Sequence, residues 1–350
     1  MRPTVSLLIP TYRDMQLLAK SLPVFFGRSP SELEITVVNN DPAQDVPTWL
    51  ESTFSADDRS RVTVIEMGFD SGFARAMNRG ISASRGEFLL VCNADLFPAP
   101  SYVDEMLEFF AAHAKAGLAT GKILRYDLSS DRPKDIFDTT GLVLRRNRSF
   151  VARGEGQRDV GQYDQLEEVV GVDGAALFAR RAALESITID GECFDESFFM
   201  YKEDWDLSWR VRLAGWECWY VPSAVAFHGR TSRGLGERSY LSAIKLYHEN
   251  EKAKPPPVRF HSLKNQWLML VKNEDIENFL RDLPFILSRE ALVVGYNLVF
   301  APRTLLAVAG FFKLLRSTLA KRRLIKAAQV MPPGELRRWV AGSGARADRA

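Results

Sequence analysis

The first hundred residues alternate short apolar segments with stretches of helical periodicity, and this alternation leaves few possible architectures. Apolar runs at residues 4–10, 34–40, 61–67 and 87–95 have the length of buried strands, and residues 73–86 have helical spacing and end at a glycine. Apolar strands separated by helices form a parallel sheet that is covered by helices on both faces. The sequence therefore predicts an α/β fold with a mostly parallel sheet.

The composition predicts a sizeable hydrophobic core without disulfide support. The chain has 350 residues, 46% hydrophobic and 26% charged, enough for one large domain with an appendage or for two modest domains. Its three cysteines, Cys92, Cys193 and Cys218, are far apart and form no Cys-x-x-Cys pair. We therefore expect neither a disulfide framework nor a structural zinc site, and a reducing compartment fits best. The N-terminal apolar run is too short for a signal peptide.

Polar clusters follow three of the predicted strands, at the sheet edge where folds of this kind bind ligands. These clusters are Thr11–Asp14, Asn39–Asp41 and Asn93–Asp95. The Asp95 carboxylate can hold a divalent cation that bridges a diphosphate, because hard cations prefer oxygen ligands. Taken alone, an Asp at a strand end is more often a turn former or a helix cap.

A second candidate for phosphate contact is the glycine before the predicted helix at residues 73–86. Gly72 permits close backbone approach, and Asn78 offers both a donor and an acceptor. The spacing matches neither Gly-x-Gly-x-x-Gly nor a P-loop. In isolation, a plain strand-to-helix turn explains this segment better.

The segment DESFFMYKEDWDLSWRVRLAGW, residues 195–216, mixes acidic and aromatic side chains at an unusual density. Its acids nearest the predicted helix are Glu203, Asp204 and Asp206. Carboxylates at a helix N-terminus are favourable on electrostatic grounds alone. The rings just before them, however, can desolvate a carboxylate and raise its pKa, which makes a general base near neutral pH. Rings also stack on sugars, so this segment predicts an acceptor pocket with one carboxylate that takes a proton.

His228 follows an apolar strand and precedes a loop rich in Gly, Ser and Arg. It is either a metal ligand or a buried histidine of the core. For a single histidine the second interpretation is the more common.

The C-terminal part combines apolar patches with basic residues. Residues 300–350 carry eleven Lys or Arg and two Asp or Glu, whereas the preceding residues carry 35 and 42. The longest uncharged run, Ala291–Pro302, is too short to span a bilayer. Helices of this kind lie in a membrane interface, where the cluster Lys321, Arg322, Arg323 and Lys326 would meet anionic head groups. The alternative is a helical hairpin that packs on the body of the protein.

Six segments occur in an order that resembles the family 2 inverting glycosyltransferases, in particular the bacterial rhamnosyltransferase-like branch. They are IPTYRD, VVNND, GFARAMNRGISASRGEFLLVCNADLFP, VDGAALFARR, FDESFFMYKEDWDLSWRVRLAGW and FHGRTSRG, within residues 4–235. The resemblance implies a GT-A fold, which is Rossmann-like. It also implies an enzyme that moves a sugar from a nucleoside diphosphate to a hydroxyl group with inversion.

The resemblance further implies roles for individual residues. Asp204 matches the general base and Glu203 would support it, while Asp95 and His228 match ligands of Mg²⁺ or Mn²⁺ on the diphosphate. Residues implied to contact the nucleotide sugar are Pro10, Thr11, Tyr12, Asn39, Asn40, Gly72, Asn78, Asn93, Ala94 and Asp95. Residues implied to contact the acceptor are Phe199, Tyr201 and Trp205.

Two residues depart from the family pattern. Asn39 stands where the family has a base-reading Asp, and its amide offers a different set of donors and acceptors. Asn93 occupies the first position of the metal motif, which leaves one carboxylate there. These departures keep a non-catalytic glycan-binding or scaffold protein as an alternative. A sugar-phosphate nucleotidyltransferase is a further alternative, although the loop after the first strand lacks glycine.

The expected organisation is a GT-A domain over residues 1–250, with a nucleotide-sugar half over 1–125 and an acceptor half over 126–250. Residues 251–350 would form a basic and apolar helical region at the membrane interface. The expected partners are a nucleoside-diphosphate sugar, a glycan or lipid-linked glycan acceptor and an anionic membrane surface, and no nucleic acid. We expect a peripheral enzyme at the cytoplasmic face of the cell membrane that makes cell-envelope polysaccharide.

Overall fold

The first half of the chain forms the predicted alternation of strands and helices. The computed structural model describes residues 4–27, 32–229 and 248–341. The elements up to residue 112 are β1 (Val5–Thr11), α1 (Met15–Phe26), β2 (Leu33–Asn39), α2 (Val46–Thr53), α3 (Ala56–Ser60), β3 (Val62–Glu66), α4 (Gly72–Ala83), β4 (Phe88–Cys92), β5 (Leu96–Pro98) and α5 (Tyr102–Ala112). In the sheet these strands lie in the order β4-β1-β2-β3, and each neighbouring pair is parallel. The polar ends of β1, β2 and β4 therefore meet at one edge.

The second half continues the same sheet with both strand directions. Its elements are β6 (Ala116–Asp127), β7 (Arg132–Thr139), β8 (Leu142–Arg145), β9 (Phe150–Ala152), β10 (Glu167–Glu168), β11 (Ala176–Arg180), α6 (Arg181–Ser186), a 3₁₀ turn (Glu196–Phe198), α7 (Glu203–Leu213) and β12 (Glu217–His228). β11 lies antiparallel between β4 and β6, whereas β12 runs parallel to β6. Because Ala176 at the start of β11 pairs with Cys92 at the end of β4, the loop before β11 lies at the ligand-binding edge. The α/β fold class is confirmed, and the sheet is mixed.

Residues 125–165, a stretch rich in Arg, Asp and Gly, contain regular structure. β7 pairs with β6, and β8 pairs with β9 in a separate small sheet. Their short, polar sequences hide a period of two, because only one face of each strand is buried. The buried members include Phe137, Leu144 and Phe150.

The C-terminal region is helical, as predicted. Its elements are α8 (Pro256–Asn273), α9 (Ile276–Phe300), a 3₁₀ turn (Pro302–Leu305), α10 (Leu306–Ala328), α11 (Pro333–Leu336), a second 3₁₀ turn (Arg337–Trp339) and β13 (Val340–Ala341). β13 returns to the first 250 residues and pairs in parallel with β8.

The C-terminal helices pack on the body through a shared hydrophobic core. Leu268 and Met269 of α8 and Ile325 of α10 lie in one apolar cluster with Phe198 and Trp209. The boundary at residue 250 therefore separates two stretches of sequence that bury their apolar side chains together. The hypothesis of helices packed on the body holds for α8 and for one face of α10.

The predicted contact of the whole basic cluster with lipid needs a correction. Lys321 donates to Glu192 and Asp195 at 2.6 and 2.7 Å, and Lys326 donates to Asp275 at 2.8 Å. Arg322 donates to backbone carbonyls of the α8–α9 connection. Three of the four cations are therefore used within the protein, since they lie on the inner face of α10, and Arg323 is exposed.

α9 is longer and more apolar than the uncharged run Ala291–Pro302 alone indicates. Its 25 residues are long and apolar enough to cross a membrane by length and composition, with a mean hydropathy of 1.3 in a window of which 11% is buried. Two of its acids nevertheless bind the body. Asp282 accepts from Arg146 and Arg148, and Glu290 accepts from Trp267 of α8. These contacts hold α9 along the surface of the protein.

Candidate functional site

The ends of β4 and β12 bring Asp95 and His228 together. His228 Nε2 lies 3.1 Å from Asp95 Oδ1, and His228 Nδ1 lies 2.8 Å from Asp138 Oδ2. The amide of Gly229 also donates to the Asp95 carbonyl at 3.0 Å. A histidine held by a carboxylate on one nitrogen presents the other nitrogen in a fixed direction. The residues that follow Gly229 in the predicted histidine loop lie outside the described part of the chain.

This pair fits a divalent cation only if the substrate supplies further ligands. Burial lowers the pKa of His228, but the hydrogen bonds to Asp138 and Asp95 outweigh burial and raise it to about 10. The imidazolium therefore occupies the place that a cation on Asp95 would take. Among the described residues no three His, Cys, Asp or Glu side chains form a cluster that could hold a metal ion. Diphosphate oxygens would have to complete the coordination.

Asp204 occupies the first turn of α7 as a half-buried carboxylate. Its Oδ2 accepts from the Gly174 amide at 2.9 Å, and its Oδ1 accepts from the Trp205 amide at 2.9 Å. Burial, followed by the negative charge of Asp173, raises the pKa of Asp204 to about 7 despite these hydrogen bonds. Such a carboxyl group is ionised about half the time near neutral pH, which suits a general base.

Glu203 is the more deeply buried of the two neighbouring acids, with 8% of its surface exposed. Burial, followed by the charge of Asp204, raises the pKa of Glu203 well above its usual range. Within the described residues its Oε2 has no hydrogen-bond partner. Burial thus disfavours the charged form of both acids that are predicted as a catalytic pair.

The turn Asp173–Ala175 joins the two carboxylate sites. The amide of Asn93 donates to the Ala175 carbonyl at 3.3 Å, next to the Gly174 amide that binds Asp204. Asp173 itself is half-buried and accepts from the Ala175 amide. The sequence predicts no role for Asp173, because an Asp-Gly pair directly before an apolar strand signals only a turn.

The end of β1 lies beside the Asp95 site. Thr11 accepts from the Asn40 amide at 2.9 Å and donates its hydroxyl to Asp14. Burial raises the pKa of Asp14 and the Asp95 charge adds to the rise, which places the two carboxylates near each other. Tyr12 is 43% exposed, and Arg13 lies over its ring at 5.1 Å. Pro10, just before them, is partly exposed.

Asn40 supports the turn at Gly72. Its Oδ1 accepts from the Ser71 hydroxyl at 2.6 Å, and its amide lies 3.4 Å from the Gly72 carbonyl. Gly72 has a φ of +74°, and a Cβ there would lie 2.5 Å from the carbonyl oxygen of Phe199. Glycine is therefore required by both the backbone conformation and the close approach of the loop before α7.

Three residues that were predicted to contact the donor have side chains already engaged. Asn39 is buried, donates to Gln44 and Glu66 and accepts from the Asp41 amide. Asn78 exchanges two hydrogen bonds with the Phe194 backbone. Ala94 faces the hydrophobic core. A donor contact through these three side chains stays only a prediction, and the structure shows them supporting the walls of the site.

The aromatic side chains of the acidic segment have different neighbours. Phe199 stacks on His261 of α8 with ring centroids 5.0 Å apart, and Trp205 packs on Phe150 at 5.4 Å. Tyr201 is 48% exposed, so its ring has the open surface that an acceptor would need. Acceptor contact by Phe199, Tyr201 and Trp205 stays a prediction.

The remaining acids of the segment form a buried ionic network. Lys272 of α8 lies between Asp195 and Asp206, which it binds, and Asp206 also accepts from Arg210 at 2.9 Å. The density of acids and rings at residues 195–216 therefore serves two purposes. Glu203 and Asp204 lie beside the turn at Asp173, whereas Asp195 and Asp206 bind Lys272 of α8.

Comparison with known sequences identifies relatives of this chain. The family model described as Glycosyl transferase family 2 matches residues 6–185, just over half of the chain. An N-acetylglucosaminyl-diphospho-decaprenol L-rhamnosyltransferase of Mycobacterium tuberculosis is 30% identical over 203 residues, which is 52% of this chain. The chain spans 64% of the length of that relative.

Solved structures share the fold at low sequence identity. GalNAc-T7, in a crystal structure with UDP, GalNAc and Mn²⁺, has a TM-score of 0.56 at 13% identity, over 77% of this chain and 48% of that chain. TarS of S. aureus has a TM-score of 0.52 at 15% identity, over 94% of this chain and 52% of that chain. These neighbours confirm the GT-A fold.

Proposed function

Because the chain belongs to glycosyl transferase family 2, in its rhamnosyltransferase-like branch, we propose that it transfers a sugar from a nucleoside diphosphate to a lipid-linked glycan with inversion. The observation that carries this proposal is Asp204. Its carboxylate has a pKa of about 7 and is held by the same turn that contacts Asn93 of the donor site. A base on one side and a diphosphate site on the other are what an inverting transfer requires.

In the proposed mechanism Asp204 Oδ accepts the proton of an acceptor hydroxyl while that oxygen attacks the anomeric carbon. The bond from the anomeric carbon to the diphosphate oxygen breaks on the opposite face, and the electron pair leaves with the nucleoside diphosphate. Glu203 would support the base, because burial raises the pKa of Glu203 well above its usual range and so disfavours a second negative charge beside Asp204. A positioned base of this kind contributes about 10²–10⁴-fold to the rate.

The leaving diphosphate would be bound at the edge formed by β1, α4 and β4. Asp95 and His228 would hold Mg²⁺ or Mn²⁺, which would stabilise the negative charge of the leaving group. Asp138 would orient His228 through its Nδ1 proton. The Gly72 turn would allow the chain to approach the phosphates closely.

The acceptor and the sugar are proposed from the relative in Mycobacterium tuberculosis. By that likeness the sugar is L-rhamnose and the acceptor is N-acetylglucosaminyl-diphospho-decaprenol or a similar lipid. We further propose that the donor nucleotide is dTDP and that the enzyme works at the cytoplasmic face of the membrane in cell-envelope polysaccharide synthesis.

The outer faces of α9 and α10 support contact with an anionic membrane. Six large apolar side chains between residues 291 and 312 are 61% to 72% exposed: Leu292, Leu298, Val299, Phe300, Leu306 and Phe312. Four cations near them are also exposed, namely Arg303, Lys313, Arg316 and Arg323. No acidic residue occurs between residues 291 and 334. Apolar groups flanked only by positive charges match the composition of an anionic lipid surface.

Vesicle binding tests the membrane contact. The protein is expected to sediment with vesicles of phosphatidylglycerol and less with phosphatidylcholine, and the variant L298S/F312S is expected to lose binding. Val160→Ser is the matched control, because Val160 is 77% exposed but lies far along the chain from these helices. Equal binding of L298S/F312S and wild type would overturn the contact. A dimer that dissociates in L298S/F312S would instead identify a second copy as the occupant of this face.

A transfer assay tests the activity. The donors are dTDP-rhamnose, UDP-glucose, UDP-galactose and GDP-mannose, each with a GlcNAc-diphosphate lipid, with and without Mn²⁺. One donor is expected to give product, and Asp204→Ala is expected to lower kcat by about 10²–10⁴-fold while calorimetry shows unchanged donor binding. Exposed Asp57→Ala is the control. Donor binding without transfer from any donor would favour the scaffold alternative, and pyrophosphate release from a nucleoside triphosphate would favour a nucleotidyltransferase.

A further inference from the structure

The loop that leads into α7 has a strained backbone. Phe199 has a φ of 66° and a ψ of −65°, and Met200 donates to the Phe198 carbonyl at 2.8 Å, which closes a γ-turn of the rare hand. Tyr201 and Lys202 follow with φ values of 67° and 72°. Residues with a Cβ avoid this region unless their surroundings fix them there.

One side chain of α8 holds this loop. Asn265 is fully buried, and its amide nitrogen lies 3.0, 2.8 and 2.7 Å from the carbonyl oxygens of Phe198, Met200 and Tyr201. The two hydrogens of this amide are shared among three carbonyl groups. In an extended chain these carbonyl groups would point in different directions. The next residue of α8, Gln266, accepts from Lys202 at 2.6 Å. The C-terminal region thus fixes the loop at both its turn and its end.

The loop that Asn265 holds is connected to both the proposed base and the donor side of the site. Lys202 is directly followed by Glu203 and Asp204, so its conformation sets where α7 begins. The Phe199 carbonyl lies against Gly72 and accepts from the Ala74 amide at 3.4 Å, which connects the loop to the donor side. A shift of the loop would therefore move the base relative to the donor.

We propose that Asn265 is a positioning residue for Asp204: its amide holds the strained loop at Phe198–Tyr201 and so aims the base at the acceptor. This inference rests on the proposed transfer reaction. It assigns to the C-terminal helices a part in the active site itself, besides any contact with lipid.

The place of α8 does not depend on Asn265. Leu268 and Met269, one turn further along the helix, lie in the shared core. Lys272, two turns further along, binds Asp195 and Asp206. Variants at Asn265 are therefore expected to keep α8 docked while the loop relaxes.

The test compares isosteric and smaller variants with a matched control. Asn265→Asp removes both N–H donors, and Asn265→Ser keeps a single hydroxyl donor. Asn297→Asp and Asn297→Ser are the controls, because Asn297 is also a buried asparagine of the C-terminal helices, but it donates within its own helix to Val293. Each protein is measured for kcat, donor KM, the pH profile of kcat/KM and thermal unfolding.

We expect Asn265→Asp to lower kcat by about 100-fold, as a displacement of a reacting group by about 1 Å does, while donor KM changes by less than about threefold. The acid limb of its pH profile is expected at lower pH, because a displaced Asp204 loses the burial and the Asp173 charge that raise its pKa. Asn265→Ser should show the same changes to a smaller degree. The Asn297 variants should leave kcat and the profile as in wild type.

Three results would overturn the proposal. A folded Asn265 variant that melts earlier but keeps the wild-type kcat and pH profile has lost only stability. Equal losses of kcat in the Asn265 and Asn297 variants would show a general effect of buried polar changes. Failure of both Asn265 variants to fold would make the residue a requirement of the fold.

A measurement without substrate separates this inference from the proposed reaction. Hydrogen exchange of the amides at residues 198–204 is expected to quicken in Asn265→Ser and to stay unchanged in Asn297→Ser. If the wild-type protein shows no transfer, the proposed function is wrong. If hydrogen exchange is unchanged in Asn265→Ser, Asn265 does not hold the loop, whatever reaction the protein catalyses.

Discussion

At the scale of single residues, the site depends on how three carboxyl groups share a small volume. The charge of Asp173 raises the pKa of Asp204, and the charges of Asp204 and Asp173 raise the pKa of Glu203. Burial, followed by the Asp173 charge, raises the pKa of Asp204 to about 7. The residue that tunes the base is thus Asp173, on a turn far from it in sequence.

Replacing Asp173 by Asn is expected to shift the acid limb of kcat/KM to lower pH. The variant keeps an oxygen for the Ala175 amide but removes the charge that raises the pKa of Asp204. Because Asp204 must be ionised to accept a proton, activity at pH 6 relative to pH 8 should rise. Rates measured across this range check the prediction, with exposed Asp57→Asn as the control. An unchanged profile would mean that Asp204 is not the group that titrates.

Replacing Asp138 by Asn is expected to weaken binding of Mn²⁺ in the presence of nucleoside diphosphate by about 10–100-fold. Asp138 binds Nδ1 of His228, whereas Asp95 lies beside Nε2 of the same ring. Calorimetry of Mn²⁺ binding measures the change. Equal affinity in this variant and in wild type would show that His228 does not bind the cation.

At the scale of elements, the Gly72 turn and the loop before α7 are in direct contact. Gly68 and Gly72 both have a φ of +74°, but a Cβ at Gly68 meets no atom within 4 Å, whereas one at Gly72 collides with Phe199. Alanine variants at Gly68 and Gly72 therefore separate the effect of backbone strain from the effect of the collision with Phe199.

We expect Gly68→Ala to lower the free energy of unfolding by about 1–2 kcal/mol and to leave activity near wild type. Gly72→Ala should cost more stability and should also lower kcat/KM by about tenfold or more, because it pushes the loop away from the donor side. Urea unfolding and transfer rates measure both effects. Similar rates in the two variants would show that the contact with Phe199 has no part in catalysis.

The attachment of α7 to α8 depends on a buried cation. Lys272 is 1% exposed and binds Asp195 and Asp206, so Lys272→Met leaves two buried carboxylates short of a partner. We expect a loss of about 3–5 kcal/mol in the free energy of unfolding. Exposed Lys313→Met is the control in the same urea experiment. Adding Asp195→Asn should restore part of the loss, and no restoration would mean that the charge is not the cause.

At the scale of the whole molecule, the C-terminal helices are part of the folded body. The inner faces of α8 and α10 complete the core around Phe198 and Trp209, while the outer faces of α9 and α10 remain apolar and basic. One region therefore serves both hypotheses that the sequence left open, packing on the body and contact with lipid.

Removal of residues 252–350 is expected to leave a fragment that aggregates or unfolds without cooperativity. The deletion exposes Leu142, Phe150, Phe198 and Trp209 and removes Asn265. Gel filtration and circular dichroism check this outcome. A soluble fragment with a sharp unfolding transition would instead show that residues 1–251 form an independent domain. Membrane binding is for this reason better tested by point variants than by deletion.

The sequence alone determined the parts that depend on local chemistry. β1 to β4 and α4 follow from hydrophobic periodicity and from the residues that end strands and helices. The proposed base and the metal pair follow from the resemblance of short motifs to a known family. Asp95 and His228, 133 positions apart, do lie 3.1 Å from each other. Such motifs can be recognised in a sequence because the chemistry of a site restricts the residue type at each position.

Only the tertiary structure decided which of the polar side chains are already hydrogen-bonded within the protein. Asn39, Asn78, Asp195 and Asp206 look like candidates in the sequence, yet their hydrogen-bonding groups are used within the protein. Conversely, Asp173 and Asn265 carry no local signal of their roles, because these roles come from contacts with residues 31 and 64 or more positions away. Periodicity and composition report what a segment prefers, whereas the long-range contacts that set burial and pKa exist only once the chain is folded.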